Sequence, residues 1–186
     1  MGREDNIRVF QDTERLCKEN PLLRESISKS IKNQKMVSER EWLPELEKKI
    51  YQDPADIVIS KKRSLEAASA YPLNKVCVHN FASASNPGGG VTKGSRAQEE
   101  CLCRCSSLYF CLNTKLMWKQ FYAPHRAMHD PVHNDDIIYT PSVAVFKSDT
   151  AEPHVLEEKD WYKVNVITCA APNLRKNPTL LQGSRI

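Results

Sequence analysis

Three consecutive glycines, Gly88 to Gly90, separate a segment that favours a strand from one that favours a helix. The strand is predicted at residues 75–82, a short and mostly apolar run of β-prone residues. From Arg96 to about Leu112 the chain contains no glycine or proline, which favours a helix. A strand, a loop and a helix in this order indicate an α/β fold in which residues 75–82 form a central strand.

Further helices and strands are predicted around this unit. Residues 1–60 are expected to form an N-terminal helical extension that packs on the same domain as residues 61–186. In the first helix, Asp5 is a candidate N-cap. Helices are predicted at 5–19, near 22–32, at 38–49 and at 63–70, and further strands at 137–139, 143–146 and 164–170.

Composition excludes several classes of protein. The 186 residues carry a formal net charge of +4, and the basic residues are scattered, so there is no strong signal for nucleic-acid binding. The sequence contains no run of about 18 apolar residues, so no membrane span is predicted. The first 16 residues are charged and lack the apolar core of a signal peptide, and we therefore expect a cytoplasmic protein. With seven cysteines in that compartment, we expect no disulfide framework.

The glycine triplet suits a loop that approaches a ligand closely. Glycine reaches positive φ without strain, and successive amides can form a concavity for phosphate. The loop matches neither the Walker pattern nor the dinucleotide fingerprint. Taken alone, a glycine triplet is equally compatible with a plain tight turn.

Two adjacent carboxylates, Glu99 and Glu100, follow Gln98 early in the predicted helix. Adjacent helical residues point about 100° apart, so at most one of the two can face a given point squarely. Their repulsion and partial burial should raise one pKa, and such a carboxylic acid can protonate a glycosidic leaving oxygen. The alternative is that these acids only complement the helix dipole.

The stretch VHNFASASNPGGGVTKGSRAQEECLCRCSSLY resembles the signature of the bacterial-type poly(ADP-ribose) glycohydrolases. That family combines a glycine triplet, a spacer and Gln-Glu-Glu on a macrodomain-like fold, and here the spacer is the seven residues 91–97. Segments 139–146 and 171–173 also resemble the family. The resemblance implies a macrodomain-like mixed sheet flanked by helices.

The resemblance further implies a role for each residue of the motif. Glu100 would be the acid/base at the ribose–ribose O-glycosidic bond, and Glu99 would hold ribose hydroxyls. Gly88 to Gly90 would cradle the diphosphate, while Asn80 and Asn86 would orient the distal ribose or brace the loop. Neither a metal nor another cofactor is required. The implied catalytic residues are Glu100 and Glu99, and the implied substrate-binding residues are Asn80, Asn86, Gly88, Gly89, Gly90 and Gln98.

The implied function is release of ADP-ribose from poly(ADP-ribose), and the expected partner is that polymer or an ADP-ribosylated macromolecule. Two alternatives stay open: a module that binds ADP-ribose without cleaving it, and a hydrolase that removes ADP-ribose from protein or nucleic acid. The family's second glycine-rich phosphate loop, with its aromatic residue, has no counterpart in this sequence. We therefore expect an N-terminal fragment of a longer protein, or a shortened version of one.

Three other groups of residues are interpreted as structural. Cys101, Cys103 and Cys105 lack the pairing and spacing of a zinc site and are expected to be small helix residues. Prolines interrupt the histidines that recur every four residues from His125 to His133, which favours loop or surface positions. The aromatic residues between 118 and 122 are expected to pack in the core.

Overall fold

The computed structural model describes residues 1–41, 53–71 and 75–173. Its centre is a four-stranded mixed sheet with the strand order β1-β3-β4-β2. Strands β2 and β4 are parallel, whereas β1 and β4 both run antiparallel to β3. The predicted α/β class with a mixed sheet is therefore confirmed. The strands are β1 (Lys35–Val37), β2 (Cys77–Ala82), β3 (Ile137–Val145) and β4 (Tyr162–Ala170).

Helices cover the sheet and connect its strands. Residues 115–128 are helical throughout, with one π-helical turn at Trp118–Tyr122. None of the helices among the described residues is both long and apolar enough to cross a bilayer. The α-helices are α1 (Arg3–Glu19), α2 (Pro21–Lys32), α3 (Ser64–Ala68), α4 (Gln98–Cys105), α5 (Leu108–Leu112), α6 (Lys115–Met117) and α7 (Ala123–Met128).

The N-terminal elements pack on the rest of the domain. Helix α1 contacts α4, α2 lies against β3, and β1 adds a strand to the sheet. The N-cap of α1 is Gly2 rather than the predicted Asp5, which occupies the third helical position and accepts a hydrogen bond from the Gly2 N–H at 2.8 Å. Most of the helix predicted at 38–49 lies outside the described residues. The proposed division of the chain at residue 60 stays a prediction.

Strand β2 is an edge strand within the described part of the chain, so the prediction of a central strand is wrong there. Its residues alternate strictly between exposed and buried positions, which places Val78, Asn80 and Ala82 against the core. His79 and Phe81 lie on the exposed face, and 58% of Phe81 is accessible to solvent.

The helix predicted from 96 to 112 is broken into α4 and α5 by two serines. Ser106 forms an isolated bridge with Val145, and the Ser107 N–H donates to the Ala144 carbonyl at 2.9 Å. The Ser107 hydroxyl in turn accepts the Ala144 N–H at 3.0 Å. Pairing with the end of β3 therefore overrides the helical propensity of this segment.

Strand β3 is continuous, whereas two separate strands were predicted there. Its register with β4 shifts between Thr140 and Val143, which identifies a bulge at Pro141 and Ser142. Proline has no N–H for the ladder, and Ser142 adopts a φ of 55°. The Ser142 N–H donates instead to the Asn165 side chain at 3.1 Å. A proline in a strand was thus accommodated by a bulge rather than by a strand end.

The main core lies between one face of the sheet and helices α1 and α3 to α6, together with the π-helical turn. Phe121 and Tyr122 are fully buried in it, as predicted. The expectation that the histidines lie at the surface is wrong for His125, which is 2% exposed and donates through Nδ1 to the Phe121 carbonyl at 2.8 Å. The helix continues through Pro124, which lies directly after the π-helical turn at Trp118–Tyr122, where the regular α-helical hydrogen-bond pattern is already interrupted.

Phe10 anchors α1 to this core. It is 1% exposed, and its ring packs edge-on against Tyr109 at 5.0 Å between centroids. We predict that Phe10→Ala lowers the free energy of unfolding by about 3–5 kcal/mol, because it leaves a cavity in the core. Urea denaturation measures this loss. The matched control is Leu22→Ala on α2, where the side chain is 54% exposed and little change is expected. Equal losses in both variants would contradict the anchoring role of Phe10.

Candidate active site

The glycine loop connects the end of β2 to α4 through backbone conformations that few other residues tolerate. Gly88 and Gly89 have φ values of 65° and 57°, in the left-handed region. A Cβ on Gly89 would lie 2.6 Å from Oε1 of Glu100 and 3.0 Å from Oε2 of Glu99. Glycine at position 89 is therefore what allows the loop to pack directly on both carboxylates.

The amides of this loop are used inside the protein. The Gly89 N–H donates to the Asn86 carbonyl at 3.0 Å, and the Gly90 N–H donates to Oε1 of Glu100 at 2.8 Å. The sequence interpretation had these amides facing a phosphate. In the structure, the N–H of Gly89 instead bonds within the loop, and the N–H of Gly90 bonds to a carboxylate.

Glu99 is a buried carboxylate held by backbone and side chain. Only 3% of the residue is exposed, and its Oε2 accepts the Ser83 N–H at 2.8 Å. Its Oε1 lies 3.5 Å from Nδ2 of Asn80. Burial raises the pKa of Glu99 to about 7, and the neighbouring charge of Glu100 adds to this effect. The sequence predicted one raised pKa in this pair, and the structure assigns it to Glu99.

One oxygen of Glu100 has no partner among residues 1–41, 53–71 and 75–173. The residue is 6% exposed, and its buried Oε2 makes no hydrogen bond to these residues, while the Gly90 amide fixes Oε1. A buried oxygen that is left unpaired is costly in a protein interior, and such atoms concentrate where a ligand or water completes the site. Glu100 therefore has a fixed orientation and an available oxygen.

Asn80 lies beneath the carboxylates on the buried face of β2. It is fully buried, and its Nδ2 donates to Oγ1 of Thr168 at 3.2 Å. Thr168 is the residue directly opposite Asn80 in the parallel pair of β2 and β4. The sequence reasoning missed Thr168, because only the register between distant strands identifies it. Oδ1 of Asn80 has no hydrogen-bond partner in the described part of the chain.

Asn86 lies at the rim of the site rather than within it. It is exposed, and its Oδ1 accepts a hydrogen bond from Nη2 of Arg126 at 2.6 Å. The same guanidinium donates through Nε to the Ser85 carbonyl at 2.7 Å and stacks over the ring of Trp118 at 4.7 Å. Asn86 therefore braces the loop against α7. Arg126 was missed as well, since nothing in the sequence links it to a loop 40 residues away.

The Gln98 side chain bonds to the backbone of β2, which is an edge strand within the described residues. Its Nε2 donates to the His79 carbonyl at 2.7 Å and to Oγ of Ser64 at 3.2 Å. Its Oε1 accepts the Phe81 N–H at 3.0 Å. The side-chain amide thus bonds β2 as a neighbouring strand would, and it fixes the start of α4 to the strand. Both of its polar ends are occupied by protein.

The three cysteines of α4 point in different directions. Cys103 is fully buried beneath the glycine loop, and Cys105 is buried elsewhere in the core. Sγ of Cys101 lies 3.4 Å from Nη1 of Arg63 and 3.2 Å from Nη2 of Arg104. Within residues 1–41, 53–71 and 75–173, no three side chains of metal-ligating type converge on one point. All seven cysteines are free thiols.

A family model for the microbial-type PARG catalytic domain matches residues 4–148, which include the glycine loop and both glutamates. The chain belongs to this family. PARG stands for poly(ADP-ribose) glycohydrolase. The family resemblance of the motif around Gly88 to Glu100 is therefore confirmed. The predicted enzyme class, a glycoside hydrolase, is confirmed with it. No curated protein sequence matches the chain.

Solved bacterial structures share the fold. The PARG from Thermomonospora curvata is 27% identical with a TM-score of 0.78, and the match covers 96% of this chain and 69% of that one. Its complex with the inhibitor ADP-HPD is 28% identical with a TM-score of 0.74, covering 92% and 64%. The PARG from Deinococcus radiodurans in complex with ADP-ribose is 35% identical with a TM-score of 0.56, covering 66% and 49%. The chain thus spans between about half and two thirds of the length of these relatives.

The raised pKa of Glu99 predicts a pH-dependent stability. The folded state binds this proton more tightly than the unfolded chain, whose ordinary value is 4.5, so the stabilisation is present at low pH and is lost as pH rises from 4.5 through about 7. Glu99→Gln cannot ionise at this position, so its stability lacks this dependence on pH. We predict that its free energy of unfolding, taken relative to that of wild type, increases by about 2 kcal/mol between pH 5 and pH 8.

Urea denaturation of both proteins at pH 5 and pH 8 measures this difference. Glu152→Gln is the matched control, because Glu152 is exposed and its side chain makes no hydrogen bond to the described residues. A difference between wild type and Glu99→Gln that is the same at both pH values would show that Glu99 does not titrate in this window.

Proposed function

We propose that this chain hydrolyses the ribose–ribose O-glycosidic bond of poly(ADP-ribose) and releases ADP-ribose, with Glu100 as the acid/base. The observation that carries this proposal is Oε2 of Glu100, which has no hydrogen-bond partner among the described residues and is buried at the glycine loop, while the Gly90 amide holds the other oxygen. The carboxylate is therefore fixed in direction, and its free oxygen is available to a reacting group. Membership of the microbial-type PARG family supplies the substrate class.

In the proposed reaction, Glu100 donates a proton to the glycosidic oxygen as the bond from that oxygen to the ribose anomeric carbon breaks. Positive charge then develops on the ribose ring, as in other glycoside hydrolyses. Water attacks the anomeric carbon, and Glu100 takes its proton back as a base. One carboxyl group thus performs both proton transfers, and the free oxygen of Glu100 is sufficient for them.

Glu99 has a different proposed role. Its Oε1 faces Asn80 and its Oε2 accepts the Ser83 N–H, and a carboxylate oxygen can accept a further hydrogen bond from a ribose hydroxyl. Burial raises the pKa of Glu99 to about 7, so this carboxyl group is partly protonated near neutral pH. This partial neutralisation reduces the repulsion on the Glu100 carboxylate. We therefore assign Glu99 to substrate binding and to the electrostatics of the site.

The other predicted site residues support this pair in the proposal. Asn80 carries an unpaired buried Oδ1 near Glu99, which suits a donor on the distal ribose. Gly88 to Gly90 admit the substrate by lacking side chains rather than through the amides of Gly89 and Gly90, which are occupied. Gln98 and Asn86 act through the protein, as positioning residues. The free thiols fit a reducing compartment, and we propose a cytoplasmic location.

The assignment of Glu100 is tested by Glu100→Gln. We predict that kcat on labelled polymer falls at least about 100-fold, as expected for loss of general acid–base catalysis, while ADP-ribose binding measured by calorimetry persists. Glu99→Gln should mainly raise KM. The control Glu152→Gln should retain full activity. If Glu99→Gln loses turnover and Glu100→Gln keeps it, the two roles are reversed. If wild type binds ADP-ribose but forms no product, the chain is a binding module instead of an enzyme.

The close packing of the loop on the carboxylates is tested by Gly89→Ala. Its Cβ would clash with both glutamates, and its φ of 57° strains any other residue. We predict that activity falls at least about tenfold. The clash displaces the carboxylates, and a displacement of up to about 1 Å is enough to disturb their alignment with the bond that is cleaved. The matched control is Gly2→Ala, where the nearest atom is at 3.4 Å and full activity is expected. Full activity of Gly89→Ala would contradict the proposed packing.

A further inference from the structure

Three exposed cations line a cavity beside the spacer that follows the glycine loop. Arg3 comes from the start of α1, while Lys93 and Arg96 come from the spacer between the glycine triplet and Gln98. We call these three residues the basic rim. The cavity has a volume of about 410 Å³, and its remaining walls are Gly2, Gly94 and Ser95.

The basic rim is held in place by hydrogen bonds between α1 and the spacer. Nε of Arg3 donates to the Lys93 carbonyl at 2.8 Å, and Nδ2 of the buried Asn6 donates to the Gly94 carbonyl at 3.1 Å. Gly94 has a φ of 74°, and a Cβ there would collide with the Arg3 backbone. These contacts fix the backbones of α1 and the spacer against each other, while the charged ends of Lys93 and Arg96 make no hydrogen bond to the described residues.

The charge of the basic rim is not neutralised within the described residues, where no carboxylate lies within 4.0 Å of its three cations. The acids of the first turn of α1 are Glu4 and Asp5, and Asp5 binds the Gly2 amide. Arg96 also lines a second cavity, of about 220 Å³, together with Arg63, Arg104 and Asp149. Asp149 there lies 3.6 Å from Arg63, so Arg96 adds to an excess of positive charge on both sides.

One residue links the basic rim to the site. The Gly90 carbonyl accepts the N–H groups of Lys93 at 2.9 Å and Ser95 at 3.1 Å, while the Gly90 N–H holds Glu100. Since consecutive Cα atoms are 3.8 Å apart, Lys93 lies within about 11 Å of Gly90 along the chain. The basic rim thus begins next to the residue that orients the proposed acid/base.

We propose that the basic rim binds phosphates of the polymer units that lie beyond the unit being cleaved. This inference rests on the proposed function and adds a second binding surface to it. Every unit of poly(ADP-ribose) carries a diphosphate, so a polymer whose end occupies the glycine loop must place further anions around it. Exposed, unpaired cations attract such a polyanion over a range set by ionic strength.

The test is the dependence of the effect on substrate length, with the double variant Lys93→Gln/Arg96→Gln. Arg3 is kept, because it also supports the spacer. For long polymer at low salt we expect KM to rise about threefold to tenfold with kcat retained, since each exposed ion pair contributes only modestly. A two-unit oligomer should show less than about a twofold change. Ionic strength near 0.5 M should remove the difference, because it screens exposed charges.

The matched control is Lys18→Gln/Arg24→Gln, which removes the same charge. Lys18 lies on α1 about 22 Å from Arg3 along the helix axis, given a rise of about 1.5 Å per residue. A KM increase for long polymer that is the same in both double variants would reduce the effect to net charge and overturn the proposal. An equal effect of Lys93→Gln/Arg96→Gln on the two-unit oligomer and on long polymer would overturn it as well.

Direct binding separates this proposal from the proposed function. If wild type turns over no substrate, the proposed function fails, yet weaker binding of long polymer by Lys93→Gln/Arg96→Gln would still support the basic rim. Single-stranded DNA of equal length serves as the competing polyanion. If DNA binds as tightly as the polymer and loses as much affinity in the variant, the surface is a nucleic-acid surface and the proposal is wrong.

Discussion

The site depends on two adjacent carboxylates that are buried and oriented by backbone N–H groups. Glu99 is held by the amide of Ser83 and Glu100 by the amide of Gly90. Burying a charged group without such partners is expensive, and the amides reduce that cost while fixing the direction of each carboxyl group. The loop between β2 and α4 must therefore keep its shape. Its glycines, the serine at its start and the packing of α1 behind it all serve that requirement.

The two carboxylates differ because their surroundings differ, although they are neighbours in the chain. Both oxygens of Glu99 lie against protein donors in a dry environment, and burial raises its pKa. Glu100 has a fixed oxygen and an unpaired one. The difference arises from the angle of about 100° between successive helical residues, which points one side chain down to the sheet and the other towards the loop.

Local patterns predicted the sheet class, the helices α1 and α2, the strand β4 and the motif around Gly88 to Glu100. They failed where distant partners decide. Ser106 and Ser107 leave the helix because the end of β3 offers them hydrogen bonds. Thr168 and Arg126 joined the site through strand register and through packing across 40 residues. The same limit explains Gln98, whose partners on β2 cannot be read from the motif that contains it.

The hydrogen bonds of Gln98 also affect whether a strand from a second molecule can add to β2. The outer edge of a sheet presents unpaired N–H and C=O groups, which can recruit a strand from a second chain and start aggregation. At His79 and Phe81 those groups are already bonded to a side chain of the same molecule. The residue that fixes the start of α4 thus also blocks strand addition at the end of β2 nearest the glutamates. One side-chain amide thus protects part of this strand edge and also supports the geometry of the site.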